Sequence, residues 1–149
     1  MKTIERFPNA SARLVEILDW FETLTLVSLD DIETIYASDA SFCDPFNDVS
    51  GAHSIRSIYA HMFQNLQEPR FVMTSVIEQD RAVFVAWQFL FTWRSRQFDI
   101  PGATEFSLDE NGLIQSHQDY WDVAQGLYEK LPVIGLLLKR LRRAMATPV

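Results

Sequence analysis

The chain has 149 residues, a formal net charge of −7, 48% hydrophobic and 13% aromatic side chains, with eleven Phe and four Trp. That length predicts one domain, 1–149, able to bury a core, and the composition excludes disorder. The charge is uneven: residues 130–149 hold Lys130, Lys139, Arg140, Arg142 and Arg143 and no acid, whereas the rest nets −12, which argues against a nucleic-acid partner.

At the N-terminus, MKTIERFPNASARLVEILDWF places charges and Pro8 where a signal peptide would have its apolar run. No stretch is long and charge-free enough to span a bilayer. Cys43 stands alone, so an internal disulfide is excluded and a reducing, cytoplasmic location is expected. Leu14, Ile17, Leu18, Phe21 and Leu24 recur at helical spacing and predict a helix over about 10–26. Ser28 followed by Asp31 reads as an N-cap opening a short helix through Ile32, Ile35 and Tyr36.

Residues 36–66 are the most informative stretch: a helix end, a short extended piece, an Asp-Pro turn, and a third helix opened by Ser50-Gly51 with the stripe Ile55, Ile58, Tyr59, Met62, Phe63, Leu66. Pro45 biases Asp44 towards an extended backbone, and Phe42 and Phe46 would share its face in a strand. A carboxylate beside aromatic rings loses hydration, which suits a general base; equally, Asp44 could merely cap the turn. Tyr36 and Tyr59 lie on apolar stripes, where a hydroxyl needs a partner but the ring is most often core.

After Pro69 the pattern changes to strands over 71–78, 81–94, 98–109 and 113–121, joined by Gln79-Asp80 and Glu110-Asn111-Gly112 turns. Pro101-Gly102 predicts a bulge or bend. The strand Ala82–Trp93 is apolar on both faces, which predicts a sheet covered by helices on one side and by a second copy, a homodimer, on the other. On the last strand His117, Asp119 and Trp121 alternate onto one face, with Gln115 continuing it. They could pair and line a cavity, or form a solvated face. No HExxH, Cys cluster or Gly-rich phosphate loop is present, so neither metal nor nucleotide cofactor is expected. Cys43 adjoins a carboxylate, which disfavours a thiolate nucleophile.

YASDASFCDPF, the Gly51-opened helix and LDENGLIQSHQDYW, in this order and spacing, resemble the nuclear transport factor 2-like superfamily, specifically its SnoaL-like and ketosteroid-isomerase-like group. The resemblance implies an α+β cone, core about 8–122, with helices packed into a strongly curved, mostly antiparallel sheet around an apolar pocket. The alternative, a split βαβ sandwich, requires helices between strands. Carried over, Asp44 falls on the isomerases' general base, Tyr36 and Tyr59 on supporting tyrosines and Trp121 on a pocket Trp. Trp20 stands where the oxyanion-hole Tyr belongs, Thr104 where the proton-donating Asp belongs, and His117 replaces a Met. Losing one oxyanion donor costs about 10²–10³ in rate, so steroid isomerisation is disfavoured. The resemblance implies Asp44 as base with His117 as acid, in a dehydratase, cyclase, isomerase or hydrolase acting on a small apolar carbonyl ligand. Pocketed domains that only bind ligands or partners share the fold.

Beyond Trp121 a helical extension, about 123–146, is predicted, with a break at Pro132 and Gly135. Ile134, Leu137, Leu138, Leu141 and Met145 form one stripe of a helix over 131–146. That stripe has two readings: docking on the domain or its mate, or contact with an anionic membrane surface.

Overall fold

The computed structural model describes residues 3–131 and 134–146. Helix α1 (Thr3–Arg6) precedes α2 (Ala12–Glu22), a 3-10 segment (Ser28–Thr34), β1 (Tyr36–Cys43), β2 (Asp48–Ser50) and α3 (Ala52–Asn65). Strands β3 (Gln67–Gln79), β4 (Ala82–Trp93), β5 (Arg96–Leu108) and β6 (Ile114–Tyr120) follow, then α4 (Val123–Gly126), a 3-10 turn (Tyr128–Lys130) and α5 (Ile134–Met145). The six strands form one curved mixed sheet in the order β2-β1-β6-β5-β4-β3. Only β1 and β6 run parallel. This is the α+β cone expected, with the helices laid into the concave face.

Helix α2 starts where Ser11 accepts the Leu14 N–H, and it buries Leu14, Ile17, Leu18 and Phe21. These pack with Ile55 of α3 against Val83, Val85, Phe106 and Ile114 on the sheet's inner face. Glu22, at the end of α2, clamps the helix to β3. Its carboxylate accepts from the Arg6 guanidinium at 2.8 Å and from the Met73 N–H at 2.7 Å. Beside Met73 the β3–β4 register shifts, and Arg6 also donates to the Met73 carbonyl. The clamp therefore satisfies both backbone groups at a bulge.

Several local expectations need correction. Ser28 is not the N-cap; it sits inside the 3-10 segment and exchanges hydrogen bonds with Thr25, each side chain accepting the other's N–H. Tyr36 begins a strand, because β6 pulls this segment into parallel pairing through Ile114 N–H to Ile35 C=O at 2.8 Å. The helical extension expected from about 123 is interrupted early: α4 ends at Gly126 and a 3-10 turn follows. Pro132 and Val133 lie outside the described residues.

No bulge forms at Pro101-Gly102 either: β4 and β5 pair without a shift from Ala82↔Ser107 to Trp93↔Arg96. Pro101 is tolerated because β6 pairing with β5 stops at Ala103, leaving a neighbour on one side only. Gly102 is required by its cross-strand partner Trp87, whose ring covers it. A Cβ there would lie 2.2 Å from the indole.

The outer face of the sheet carries exposed Ile77, Phe84 and Tyr120, the last two stacked. This is the patch on which the expected homodimer would form. Among the described residues no helix is long and apolar enough to cross a membrane.

Gly102→Ala is expected to lower unfolding free energy by about 1–3 kcal/mol through overpacking against Trp87, read as a lower midpoint in urea. Wild-type stability in this variant would show that the ring moves freely.

Candidate functional site

Helices α2 and α3 and the inner face of the sheet border an open cavity of about 320 Å³. Aromatic side chains from both layers line it, including Phe21, Phe42, Phe71, Trp87, Phe91 and Trp121. They follow from strand alternation: Val83, Val85, Trp87, Phe89 and Phe91 occupy one face of β4. Among the described residues no Lys or Arg contributes to the lining. Its ionisable groups are Asp44, Asp119, His61, His117 and Tyr59.

On β6, His117 and Asp119 point into the cone. His117 is 4% exposed, and its Nε2 lies 2.8 Å from Asp119 Oδ1. Thr104, the cross-strand partner of Asp119, donates its hydroxyl to the same oxygen. The Thr104 oxygen accepts the Trp87 indole N–H at 2.8 Å. On the other side His117 Nδ1 is 2.8 Å from the Tyr36 hydroxyl, which is 3.0 Å from that of Tyr59. One hydrogen-bonded chain thus runs Trp87–Thr104–Asp119–His117–Tyr36–Tyr59 through five elements.

Its polarity follows from valence. An ionised Asp119 accepts only, so His117 holds its proton on Nε2. A neutral His117 then accepts from Tyr36, and Tyr36 accepts from Tyr59. A protonated His117 donates to Tyr36 instead, Tyr36 donates to Tyr59, and the Tyr59 hydroxyl, its O–H bond intact, is free to donate towards the cavity. Every buried side-chain nitrogen or oxygen among the described residues has a partner. Among the described residues Asp119 Oδ2 has no hydrogen-bond partner, so it is not a buried atom, and Asp119 lines the cavity.

Asp44 also lines the cavity, in a different state. Its Oδ1 accepts the N–H groups of Phe46 and Asn47, each at 2.7 Å, and the Asn47 amide at 3.0 Å. Oδ2 takes the same amide at 3.1 Å. Asp44 N–H in turn donates to Asn47 C=O at 2.9 Å. The carboxylate is the acceptor that shapes the 44–47 turn. Phe46 does not share a strand face with Phe42, because β1 ends at Cys43; half-exposed, it packs edge-on against Trp121 at 5.6 Å.

The structure thus brings Asp44, Tyr59, Thr104, His117, Asp119 and Trp121 to one cavity. Tyr36 stands fully buried and is linked to the cavity through Tyr59 and His117, which line it. Trp20 does not line the cavity: its indole N–H donates to Ser28 C=O at 3.3 Å, which fixes the loop after α2. Nor does Gln115 continue the His117 face; a register shift on either side of β6 turns it outward to Asp39. The Thr104 hydroxyl is committed to Asp119 and is no free donor. Sequence reasoning missed the Trp87 anchor and the open Asp119 oxygen; the 104↔119 pairing depends on the register shift between Ser107 and Leu108, which no local pattern signals. Among the described residues no three His, Cys, Asp or Glu are placed to hold a metal ion.

Burial pushes the Tyr36 and Tyr59 hydroxyls well above the usual tyrosine pKa. Each other's charge raises Tyr36 further, and the charge of Asp119 raises Tyr59. A folded pKa above the unfolded one means the stability is intact below about pH 10 and is lost as pH rises beyond it. The alkaline limb of the stability curve is therefore expected to flatten in Tyr36→Phe/Tyr59→Phe. An unchanged limb would place the alkaline lability elsewhere.

The SnoaL-like domain pattern matches residues 17–117. No curated protein matches the chain significantly. Solved structures similar to it include a protein of Catenulispora acidiphila with a ketosteroid isomerase-like fold, in complex with trimethylamine. It is 16% identical with a TM-score of 0.68, covering 80% of this chain and 92% of that one. A candidate SnoaL-like polyketide cyclase from Shewanella putrefaciens is 17% identical with a TM-score of 0.67, over 85% and 91% of the two chains. An LEH-like epoxide hydrolase of M. tuberculosis is 14% identical with a TM-score of 0.67, over 89% and 98%. At these identities the likeness establishes the nuclear transport factor 2-like cone. With the pattern matched across more than half its length, the chain belongs to the SnoaL-like domain family.

Proposed function

We propose that the protein is a cofactor-free acid–base enzyme of the isomerase, dehydratase or cyclase type, acting on a small, largely apolar carbonyl compound. The observation that carries this is the open Oδ2 of Asp119, a carboxylate oxygen at an aromatic cavity whose twin is held by His117 and Thr104. A carboxylate so placed is poised to take a proton from a ligand rather than from bulk water. His117, hydrogen-bonded to it, orients the acceptor and offers a route for the proton. Among the described lining residues His61, Asn65 and the Trp121 indole carry donors for a carbonyl oxygen, and Tyr59 joins them when His117 is protonated.

The lining itself restricts the substrate. With two carboxylates and, among the described residues, no Lys or Arg, it offers no permanent cation to phosphate or a free carboxylate, so a neutral ligand is favoured. The same argument disfavours a phosphate-bearing cofactor. The resemblance assigns the base to Asp44; the geometry favours Asp119, since the Asp44 oxygens are occupied as turn acceptors. The neighbours described as a candidate polyketide cyclase and an epoxide hydrolase support small-molecule chemistry in such a cavity.

Ketones that raise the melting temperature identify ligands by mass action, and loss of their α-protons in D2O, followed by NMR, reports proton abstraction. Asp119→Asn is expected to slow exchange by roughly 10²-fold or more, with Asp44→Asn acting mainly on stability. If Asp44→Asn abolishes exchange and keeps the fold, the base is Asp44. Tight ligands that never exchange would make the protein a binding module.

A further inference from the structure

Helix α5 is amphipathic, and the domain does not cover its apolar face. At 3.6 residues per turn, Ile134, Leu137, Leu138, Leu141 and Met145 fall on one side and Lys139, Arg140 and Arg143 on the other. Gly135 and Arg142 lie on one border between them, and that border holds the helix to the protein. A Cβ on Gly135 would lie 2.3 Å from the Glu129 carbonyl oxygen, so backbone meets backbone there. Arg142 grips the buried Glu129 carboxylate through Nε at 2.7 Å and Nη2 at 3.2 Å.

Docking on an edge leaves the stripe in solvent: Ile134 is 53%, Leu137 69%, Leu141 57% and Met145 81% exposed. The expectation that this stripe packs on the domain is therefore not met in the single chain. Among the described residues Lys139, Arg140 and Arg143 form no ion pair, although the remainder of the chain is strongly acidic.

From these observations we infer that α5 seats the protein on an anionic lipid surface, its leucine face among the acyl chains and its unpaired cations at the headgroups. Charge decides between the occupants. Lys139, Arg140 and Arg143 lie opposite the apolar face, where anionic headgroups would neutralise them, whereas pairing of this helix with its own copy through that face leaves them without counter-charges. Long basic side chains can lay their stems along the apolar boundary while their heads stay hydrated. The helix is also tethered close to the cavity. Glu129, its anchor, is two residues from Leu127, which lines the cavity wall. An apolar ligand dissolved in the bilayer would thus be met near the protein's apolar chamber. The inference goes beyond the proposed catalysis and stands or falls separately from it.

The test is flotation of the full chain with phosphatidylcholine vesicles, with and without phosphatidylglycerol, beside Leu137→Glu/Leu141→Glu. The wild type should float with phosphatidylglycerol vesicles, stay behind with pure phosphatidylcholine, and come off as salt is raised. The double variant should lose at least about tenfold in bound fraction while keeping its circular dichroism and melting temperature. Failure of the wild type to float, or equal flotation with neutral vesicles, overturns the inference. So does sedimentation showing, without lipid, a wild-type dimer that the double variant dissociates, because a second copy would then own the stripe.

Discussion

The buried hydrogen-bonded chain from Trp87 to Tyr59 is the constraint around which the rest of this molecule is arranged. It joins β4, β5, β6, β1 and α3, and it lies inside a core of Phe, Ile and Val. In such surroundings each unpaired polar group would cost about 1–3 kcal/mol, so every member must be satisfied together. Strand register follows from this demand. Thr104 has to face Asp119, and His117 has to fall between Asp119 and the tyrosines. The parallel pairing of β1 beside β6 supplies the Tyr36 hydroxyl that closes the chain. The aromatic rings do the complementary work: Phe42 and Phe106 lie 4.4 and 4.9 Å from the His117 ring and exclude water from it.

The same arrangement explains why two carboxylates in one cavity differ. Asp44 belongs to a turn whose N–H groups converge on it, so its ligands are the protein's own. Asp119 belongs to a strand, where backbone N–H groups are spent on the ladder and only side chains can reach it. Two such side chains arrive at one oxygen and none at the other. The asymmetry is a product of secondary structure, and it determines which carboxylate is left to meet a ligand.

Much of this was legible in the sequence. Period-two alternation on β4 and β6 identified the inner face, and the helical stripe on α3 placed Tyr59 there. What was not legible depended on partners distant in sequence. Tyr36 was read onto a helix because Ile32, Ile35 and Tyr36 fit that period; only pairing with β6 makes it a strand residue. Trp20 was assigned by resemblance, but no local pattern specifies that its indole turns to Ser28. Pro101-Gly102 read as a bulge or bend; no bulge forms, and the glycine answers a ring on the neighbouring strand. The turn between β4 and β5 carried no Gly or Asn, and Arg94 and Ser95 adopt left-handed angles there without the usual residues. Asp44 shows the general limit, since Asp-Pro marks a turn and a base equally well and only the count of N–H donors separates them.

The central claim is that this chain behaves as one unit. A double-mutant cycle between Thr104→Val and Tyr36→Phe, read by urea unfolding, tests it most directly. The two side chains make no hydrogen bond to each other; they are linked only through Asp119 and His117. A cooperative chain predicts a coupling energy of at least about 0.5 kcal/mol. Additive effects within error would mean that the bonds are independent and that nothing joins Trp87 to Tyr59.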